Sequence, residues 1–127
     1  MKKTINAPKA PAAVGPYVHA VEAQGLIFTS GQLGLIPESG TLPEGVEAQA
    51  HQSLKNLAVV LEAAGSDLDH VVKTNIFLDD INDFAKVNEI YGQYFTKDTP
   101  ARSCVQAAKL PKGGLIEIEM IAVKKEG

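Results

Sequence analysis

The sequence predicts an α+β protein in which a mixed sheet of four or five strands is covered on one face by two helices. Apolar and polar residues alternate along Leu115–Ile121, and the period of a strand divides Pro100–Gln106 into two faces, with Arg102, Cys104 and Gln106 on one of them. Between Val46 and Ala64, leucine and alanine recur at the three- and four-residue spacing of a helix. With the other elements the order along the chain is ββαβαββ, and two helices can cover only one face of such a sheet.

The first half of the chain contains an arm, two strands and a helix. The prolines within Asn6–Pro16 indicate an extended arm rather than a strand inside the sheet. Tyr17–Glu22 and Leu26–Leu35 are predicted strands joined by a Gln-Gly turn. Gly31 interrupts the second strand, which indicates a bulge or a close approach of ligand or backbone. After a loop, the helix over Val46–Ala64 ends at a glycine C-cap.

The second half adds a strand, a helix and a final pair of strands. Val71–Leu78 is rich in valine, isoleucine, threonine and phenylalanine, which favour strands. Asp80 begins a helix that extends to about Phe95, with Asp83 as its capping-box partner. Leu110–Gly114 has the proline and glycines of a turn, so we predict that the last two strands form a hairpin.

The register of this hairpin decides which side chains meet. With the turn centred on its proline and lysine, Cys104 lies opposite Glu119. Gln106 lies opposite Glu117, and Arg102 falls on the same face as both glutamates. We therefore expect one guanidinium, one thiol and two carboxylates on a single face of the sheet.

Composition bounds the class of protein. The chain has 127 residues, 45% of them hydrophobic and 21% charged, which suits one globular domain spanning residues 1–127. A net charge of −3 offers no basic surface for nucleic acid or an anionic membrane. A single cysteine forbids an internal disulfide, and no apolar run has the length of a signal peptide core or a membrane span. We expect a cytoplasmic protein.

The sheet face without helices is expected to contact another subunit. In the predicted hairpin this face mixes charged residues with apolar neighbours, which is too polar for a core and too apolar for a purely solvated surface. Faces of this kind commonly pack against a second copy of the chain. The sequence therefore predicts a homo-oligomer.

Short motifs along the chain resemble one known family. They are Gly15-Pro16-Tyr17, Thr29-Ser30-Gly31-Gln32, Asn56-Leu57, Leu61-Glu62-Ala63-Ala64-Gly65, Val71-Val72-Lys73-Thr74, Phe84-Ala85-Lys86-Val87-Asn88-Glu89-Ile90-Tyr91, Pro100-Ala101-Arg102-Ser103, Leu110-Pro111 and Ile116-Glu117-Ile118-Glu119. From about Ile5 to Val123 the chain resembles the Rid (reactive-intermediate deaminase, YjgF-type) family, most closely its RidA branch.

The resemblance implies a chorismate-mutase-like fold assembled as a homotrimer, with three sites between subunits. It implies hydrolysis of 2-iminobutanoate, 2-iminopropanoate and their enamine tautomers to 2-keto acids and ammonia, without metal or organic cofactor. The catalytic and substrate-binding residues it implies are Tyr17, Ser30, Gly31, Asn88, Arg102, Cys104 and Glu117. His19 departs from the family, whose members commonly have a small polar residue or glutamine there, and this puts pocket shape and pH response in question.

The chemistry assigns roles to the two ionised residues. Imine hydrolysis needs a group that holds the substrate carboxylate, and the planar guanidinium of Arg102 binds carboxylates bidentately. The alternative for Arg102 is a surface ion pair with Glu117 or Glu119. Glu117 would orient or activate the attacking water and shuttle protons. Glu119 is expected to be structural.

Each remaining candidate has a structural alternative. A catalytic Cys104 thiolate would need a neighbouring base, so we expect its main chain to contact the substrate nitrogen or water while the thiol lines the pocket; a lone cysteine is otherwise a small hydrophobe. Ser30 either binds the carboxylate or caps the bulge. Asn88 lies at the site rim or bridges structure, and Tyr17 lines the pocket or packs in the core.

The three histidines lack metal-ligand spacing, and the chain has no phosphate-binding loop, so we predict no metal or nucleotide.

Two other functions remain open alongside the deaminase. RNA cleavage or inhibition of translation is attributed to some members of the resembled family, although the acidic balance opposes a nucleic-acid partner. A non-catalytic module that binds 2-keto acids through Arg102 is the third possibility.

Overall fold

The computed structural model describes residues 1–126 and confirms the α+β class, with a mixed sheet and two helices on one of its faces. The helices are α1 (Val46–Ala63) and α2 (Phe84–Tyr94). The strands are β1 (Lys3–Ile5), β2 (Ala20–Ala23), β3 (Leu26–Thr29), β4 (Gln32–Leu33), β5 (Val71–Leu78), β6 (Ala101–Gln106) and β7 (Ile116–Val123). In the described part of the chain the sheet has seven strands, because the interrupted strand counts as two and β1 was not predicted.

α1 covers the centre of the sheet because its apolar stripe is continuous. Ala50, Leu54, Leu57 and Leu61 are all buried, and they recur on one side of the helix. The helix ends where Gly65 adopts a φ of 83°, which lets the Ser66 N–H donate to the Leu61 carbonyl at 2.8 Å. The predicted glycine cap is therefore confirmed.

The predicted hairpin of the last two strands is wrong. β5 lies between β6 and β7; it pairs in parallel with β6 and antiparallel with β7. β5, α2 and β6 form a strand–helix–strand unit, which places consecutive strands side by side in parallel. The segment after β6 is long enough to pass the end of β5, where the Asp79 N–H donates to the Leu115 carbonyl at 3.0 Å.

This topology separates the residues that the hairpin would have united. Arg102 pairs with Thr74, whose side chain is buried beneath the helices. Glu117 pairs with Phe77, which lies three residues after Thr74 on β5 and therefore points to the opposite side of the sheet. Paired residues on adjacent strands point to the same side of a sheet. Arg102 therefore points to the helix side, as does Cys104, while Glu117 points to the uncovered side with Glu119.

The break predicted near Gly31 is confirmed as a β-bulge. Along β7 the pairing passes from Phe28 with Ile121 in β3 to Gln32 with Ile118 in β4, so one extra residue is accommodated in between. The side-chain oxygen of Thr29 accepts from the Met120 N–H at 2.9 Å and replaces a lost ladder bond.

Two other boundaries differ from the prediction. The first predicted strand begins at Ala20 rather than Tyr17, since the residues before it form a loop. Asp80 does not start α2; its side chain accepts from the Asn82 N–H at 2.9 Å, and a short 3₁₀ turn precedes the helix. Neither helix combines the length and apolar composition that a membrane crossing needs, and the same holds for the shorter helical turns within residues 1–126.

The uncovered sheet face exposes apolar side chains. Phe28 is 41% exposed, Val105 is 50% exposed and Val123 is 40% exposed. By register all three share the side of the sheet that carries Glu117 and Glu119. The helix side, in contrast, buries the alternate residues of β7 completely or nearly so.

Candidate active site

Glu117 lies against the β-bulge at one end of the uncovered face. A side chain on Gly31 would put its Cβ 2.8 Å from the Glu117 Cδ and 2.9 Å from Oε2. Only glycine leaves the carboxyl group in this place. Tyr17, Gly31, Glu117 and the turn residue Lys112 are among the residues that line a small cavity here, which we call the glutamate pocket.

The environment of Glu117 favours its protonated form. Partial burial raises the pKa of the Glu117 carboxyl, and the negative charge of Glu119 raises it further. Glu119 itself accepts a hydrogen bond from the Asn75 amide at 3.0 Å. Glu117 can therefore exchange protons closer to neutral pH than an exposed glutamate, whereas Glu119 is held by its neighbour on β5.

Ser30 is engaged in local hydrogen bonds. Its Oγ donates to the Val18 carbonyl at 2.6 Å, and its N–H donates to the His19 carbonyl at 2.9 Å. These bonds tie the bulge to the segment before β2. With its proton committed to Val18, the Ser30 hydroxyl has acceptor capacity left for a ligand.

Tyr17 lies at the mouth of the glutamate pocket. Its side chain is 48% exposed, so it is not a core residue in the single chain. It belongs to the loop before β2, and its ring lies against Gly15, where a Cβ would approach the ring carbon Cε2 to 3.3 Å. The ring is available as a wall for a small ligand.

Arg102 occupies the other side of the molecule, on the edge strand β6. The Cζ of its guanidinium lies 4.9 Å from the ring centroid of Tyr91 and 5.4 Å from that of Phe84. The hydroxyl groups of Tyr91 and Thr74 are 2.8 Å apart and hydrogen-bonded, which fixes the orientation of the Tyr91 ring. We call Phe84, Asn88, Tyr91, Arg102 and Cys104 the arginine shelf.

The guanidinium of Arg102 makes no ion pair within residues 1–126, where no carboxylate oxygen lies within 4.0 Å of it. The alternative of a surface ion pair with Glu117 or Glu119 is therefore not formed in the chain. Aromatic rings attract a cation without occupying its hydrogen-bond donors. The two rings thus orient the Arg102 guanidinium and leave its N–H donors able to bind a carboxylate.

Cys104 lies beside Arg102 with its thiol turned toward the core. It is paired with Ile76 and packs against the buried cluster. Burial raises the pKa of the Cys104 thiol, and the positive charge of Arg102 opposes this only in part. The thiol is therefore protonated at neutral pH, which disfavours it as a nucleophile.

The main chain of Cys104 faces the open edge of the sheet. The Ala107 N–H donates to the Leu78 carbonyl at 2.8 Å. Because N–H and C=O directions alternate along a strand, Val105 and Ser103 also direct theirs toward β5. The N–H and C=O groups of Cys104 and Arg102 consequently point away from β5, where a ligand can reach them.

Asn88 shares the helix face of the two aromatic rings. It lies four residues after Phe84 and three before Tyr91, and both rings contact Arg102. The Asn88 amide is half-buried and makes no side-chain hydrogen bond in the described part of the chain. Its donors and acceptor remain free at the rim of the arginine shelf.

The glutamate pocket and the arginine shelf do not meet within one chain. β5 separates β6 from β7, a distance of about 10 Å for two strand spacings, and the two side chains point to opposite faces. A site that uses both Arg102 and Glu117 must draw them from two copies of the chain. Within residues 1–126 no cluster of three potential metal ligands is present.

Sequence reasoning missed the residues that hold the arginine in place. The sequence predicts Phe84 and Tyr91 within the second helix, but it does not predict their contact with a guanidinium. The usable signal was the strand–helix–strand order: in a parallel unit the helix packs over both strands, so aromatic residues seven apart on α2 lie near β6.

Comparisons with known proteins match this chain over nearly its whole length. Residues 7–124 match the family described as Endoribonuclease L-PSP. A mouse protein named 2-iminobutanoate/2-iminopropanoate deaminase is 53% identical, over 98% of this chain and 93% of that protein. An Escherichia coli protein of the same name is 50% identical, over 98% and 100%. The crystal structure of the Escherichia coli YjgF gene product has a TM-score of 0.93 at 49% identity, covering 97% of this chain and 99% of that one.

Proposed function

Because the chain belongs to the Endoribonuclease L-PSP family, and its relatives at about 50% identity are named 2-iminobutanoate/2-iminopropanoate deaminases, we propose that it hydrolyses short 2-imino acids to 2-keto acids and ammonia. The membership confirms the resemblance to the Rid (YjgF-type) family. The observation that carries the proposal is Arg102: an oriented guanidinium, without an ion pair in residues 1–126, suits a small carboxylate substrate.

The active site forms between copies of the chain, in a homotrimer. The arginine shelf of one copy meets the glutamate pocket of the next, which is a contact between two different surfaces. Repeated contacts of that type do not make two-fold dimers; they generate a closed ring when the rotation between copies closes, as it does in a trimer. The exposed apolar residues Phe28, Val105 and Val123 supply a face to bury in such a ring.

The guanidinium of Arg102 holds the substrate carboxylate through a bidentate pair of hydrogen bonds. The outward N–H and C=O of Cys104 lie beside it and contact the imine nitrogen or the water. Asn88 completes the rim of this half. Tyr17, Ser30 and Gly31 of the other copy form the opposite wall, with Gly31 leaving space for the carboxyl group of Glu117.

Glu117 handles the protons. As a carboxylate it removes a proton from water, whose oxygen attacks the imine carbon to give a carbinolamine. As a carboxylic acid it returns that proton to the imine nitrogen, which completes the carbinolamine. It then passes the proton of the carbinolamine hydroxyl to the same nitrogen as the C–N bond breaks, so that 2-keto acid and ammonia leave. A raised pKa suits a group that must be found in both forms near neutral pH.

The experiment that tests this function generates 2-iminobutanoate in place with threonine dehydratase, in the presence of semicarbazide as a competing trap. The wild type is expected to divert flux from the semicarbazone to free 2-oxobutanoate. Arg102→Ala should fall to background, and Arg102→Lys, which keeps the charge but loses the planar fork, should recover only part of the activity. No diversion by a folded wild-type protein would refute the proposal.

RNA cleavage is a second candidate because the family description includes the word endoribonuclease. The net charge of −3 weighs against a nucleic-acid partner. Incubation of the same preparations with single-stranded RNA distinguishes the two: cleavage that survives both Arg102→Ala and Glu117→Gln comes from another site or a contaminant. A non-catalytic protein that binds 2-keto acids would bind 2-oxobutanoate and show no turnover in the imine-trapping assay.

A further inference from the structure

His19 is a buried histidine whose two ring nitrogens are both used. Nδ1 accepts from the Ala7 N–H at 2.9 Å, and Nε2 is 2.7 Å from the Pro11 carbonyl. A peptide N–H can only donate and a carbonyl can only accept. His19 is therefore the neutral tautomer with its proton on Nε2.

These two bonds close a loop over the glutamate pocket. They join the arm at Ala7 and Pro11 to the segment that leads into β2. Between Pro11 and His19 the chain lines the glutamate pocket with Ala12, Ala13, Val14 and Tyr17. The loop residues are largely exposed. Ser30 holds the C-terminal end of the loop through the Val18 and His19 carbonyls, and the His19 ring holds its N-terminal end through Ala7 and Pro11.

We propose that neutral His19 is a positioning residue for the imine-hydrolysing site, and that its protonation releases the N-terminal end of the loop carrying Tyr17 and weakens substrate binding at acidic pH. An imidazolium carries a hydrogen on Nδ1, which would face the Ala7 N–H, so the bond is lost and the two donors repel. The inference rests on the proposed function, since it concerns the binding of that substrate.

Other ionisable groups near His19 must be separated from it. Glu117 of β7, Lys112 of the preceding turn and Tyr17 line the same cavity, and Lys9 lies on the arm between the two anchored residues. The pKa of Glu117 is raised by burial and by Glu119, so acidification changes its charge too. The test therefore compares two proteins that share all of these groups and differ only at position 19.

His19→Gln provides the matched variant. A glutamine amide offers one acceptor atom and one donor atom bonded to a common carbon, as neutral imidazole does, and it does not protonate between about pH 5.5 and 7.5. Dissociation constants for 2-oxobutanoate, which stays ionised throughout this range, are measured by calorimetry for both proteins. We expect the ratio of wild-type to variant dissociation constant to rise about threefold or more on acidification.

His19→Ala measured at pH 7.5 separates positioning from chemistry. The loss of both ring hydrogen bonds is expected to raise KM with kcat nearly kept, and His19→Gln should restore KM. Thermal denaturation and size-exclusion chromatography establish that the variants are folded and assembled as the wild type is. An unchanged KM in His19→Ala would overturn the proposal.

Amide hydrogen exchange at Ala7 reports the anchor without any ligand. We expect its protection factor to fall on acidification in the wild type and to stay constant in His19→Gln. Constant protection in both proteins, or a ratio of dissociation constants that does not change with pH, would overturn the proposal while leaving the deaminase function intact. A wild type that binds no 2-oxobutanoate at pH 7.5 would refute the proposed function, and with it the role of His19 in binding.

Discussion

Gly31→Ala should inactivate the protein without unfolding it. The new Cβ would lie 2.8 Å from the Glu117 Cδ and 3.0 Å from Cγ, whereas unstrained carbon contacts are about 3.5–4.0 Å. The Glu117 carboxyl must therefore move by about 0.7–1 Å. A misplacement of about 1 Å can reduce a rate by about 10²-fold.

Stability should barely change in Gly31→Ala. The backbone φ of Gly31 is not in the left-handed region, and the colliding group is the end of a flexible, half-buried side chain. A change below about 1 kcal/mol in the free energy of unfolding is expected. The imine-trapping assay and thermal denaturation are the paired measurements.

Gly34→Ala is the matched control. Its Cβ would collide with the backbone of Gln49 in α1, which cannot rotate away. This variant should lower the melting temperature clearly, while Gly31→Ala should not. Gly31→Ala with wild-type kcat and KM would refute the placement of Glu117 in the catalytic centre.

Two further changes probe the acid–base group and the thiol. Glu117→Gln should reduce kcat by about 10²–10⁴-fold while calorimetry still detects 2-oxobutanoate binding, and loss of binding together with turnover would contradict a purely proton-transferring role. Burial, with the charge of Glu119, raises the pKa of Glu117 in the folded chain above its unfolded value; the resulting stability is fully present below the unfolded pKa and is lost as pH rises through the folded one. Thermal melts should therefore show Glu117→Gln gaining stability relative to wild type as pH rises toward neutral, and an opposite trend would contradict the pKa direction. Cys104→Ala should keep kcat within about threefold, because the ligand contact uses its main chain and burial raises the pKa of the thiol; a fall to background in the imine-trapping assay would restore the thiol as a catalytic group.

Local patterns predicted individual elements well. The bounds of β5 agree with the prediction at both ends, because β-branched and aromatic residues make up most of the segment. The bulge at Gly31 was also predictable, since a glycine inside an apolar strand commonly marks a bulge or a close approach of backbone. These features depend on residues close together in the sequence.

The pairing of the last two strands could not be obtained in the same way. Turn residues after Gln106 suggested a hairpin, whereas the strand–helix–strand unit placed β5 between β6 and β7. Because β5 lies between β6 and β7, Arg102 and Glu117 point to opposite faces of the sheet. The predicted hairpin had put them on the same face. The anchors of His19, Ala7 and Pro11, likewise depend on how a proline-rich arm folds back, which has no periodic signal.

Because Arg102 and Glu117 lie on opposite faces, a single chain carries both functional groups but cannot bring them to the same substrate molecule. In the proposed trimer, two defective alleles can rescue one another: a copy lacking Glu117 lends its arginine to a neighbour that lacks Arg102 but keeps its glutamate. Each mixed ring then contains an intact site, whereas two alleles damaged at the same residue never make one. Complementation between alleles is thus a genetic consequence of the strand order, in which β5 lies between β6 and β7.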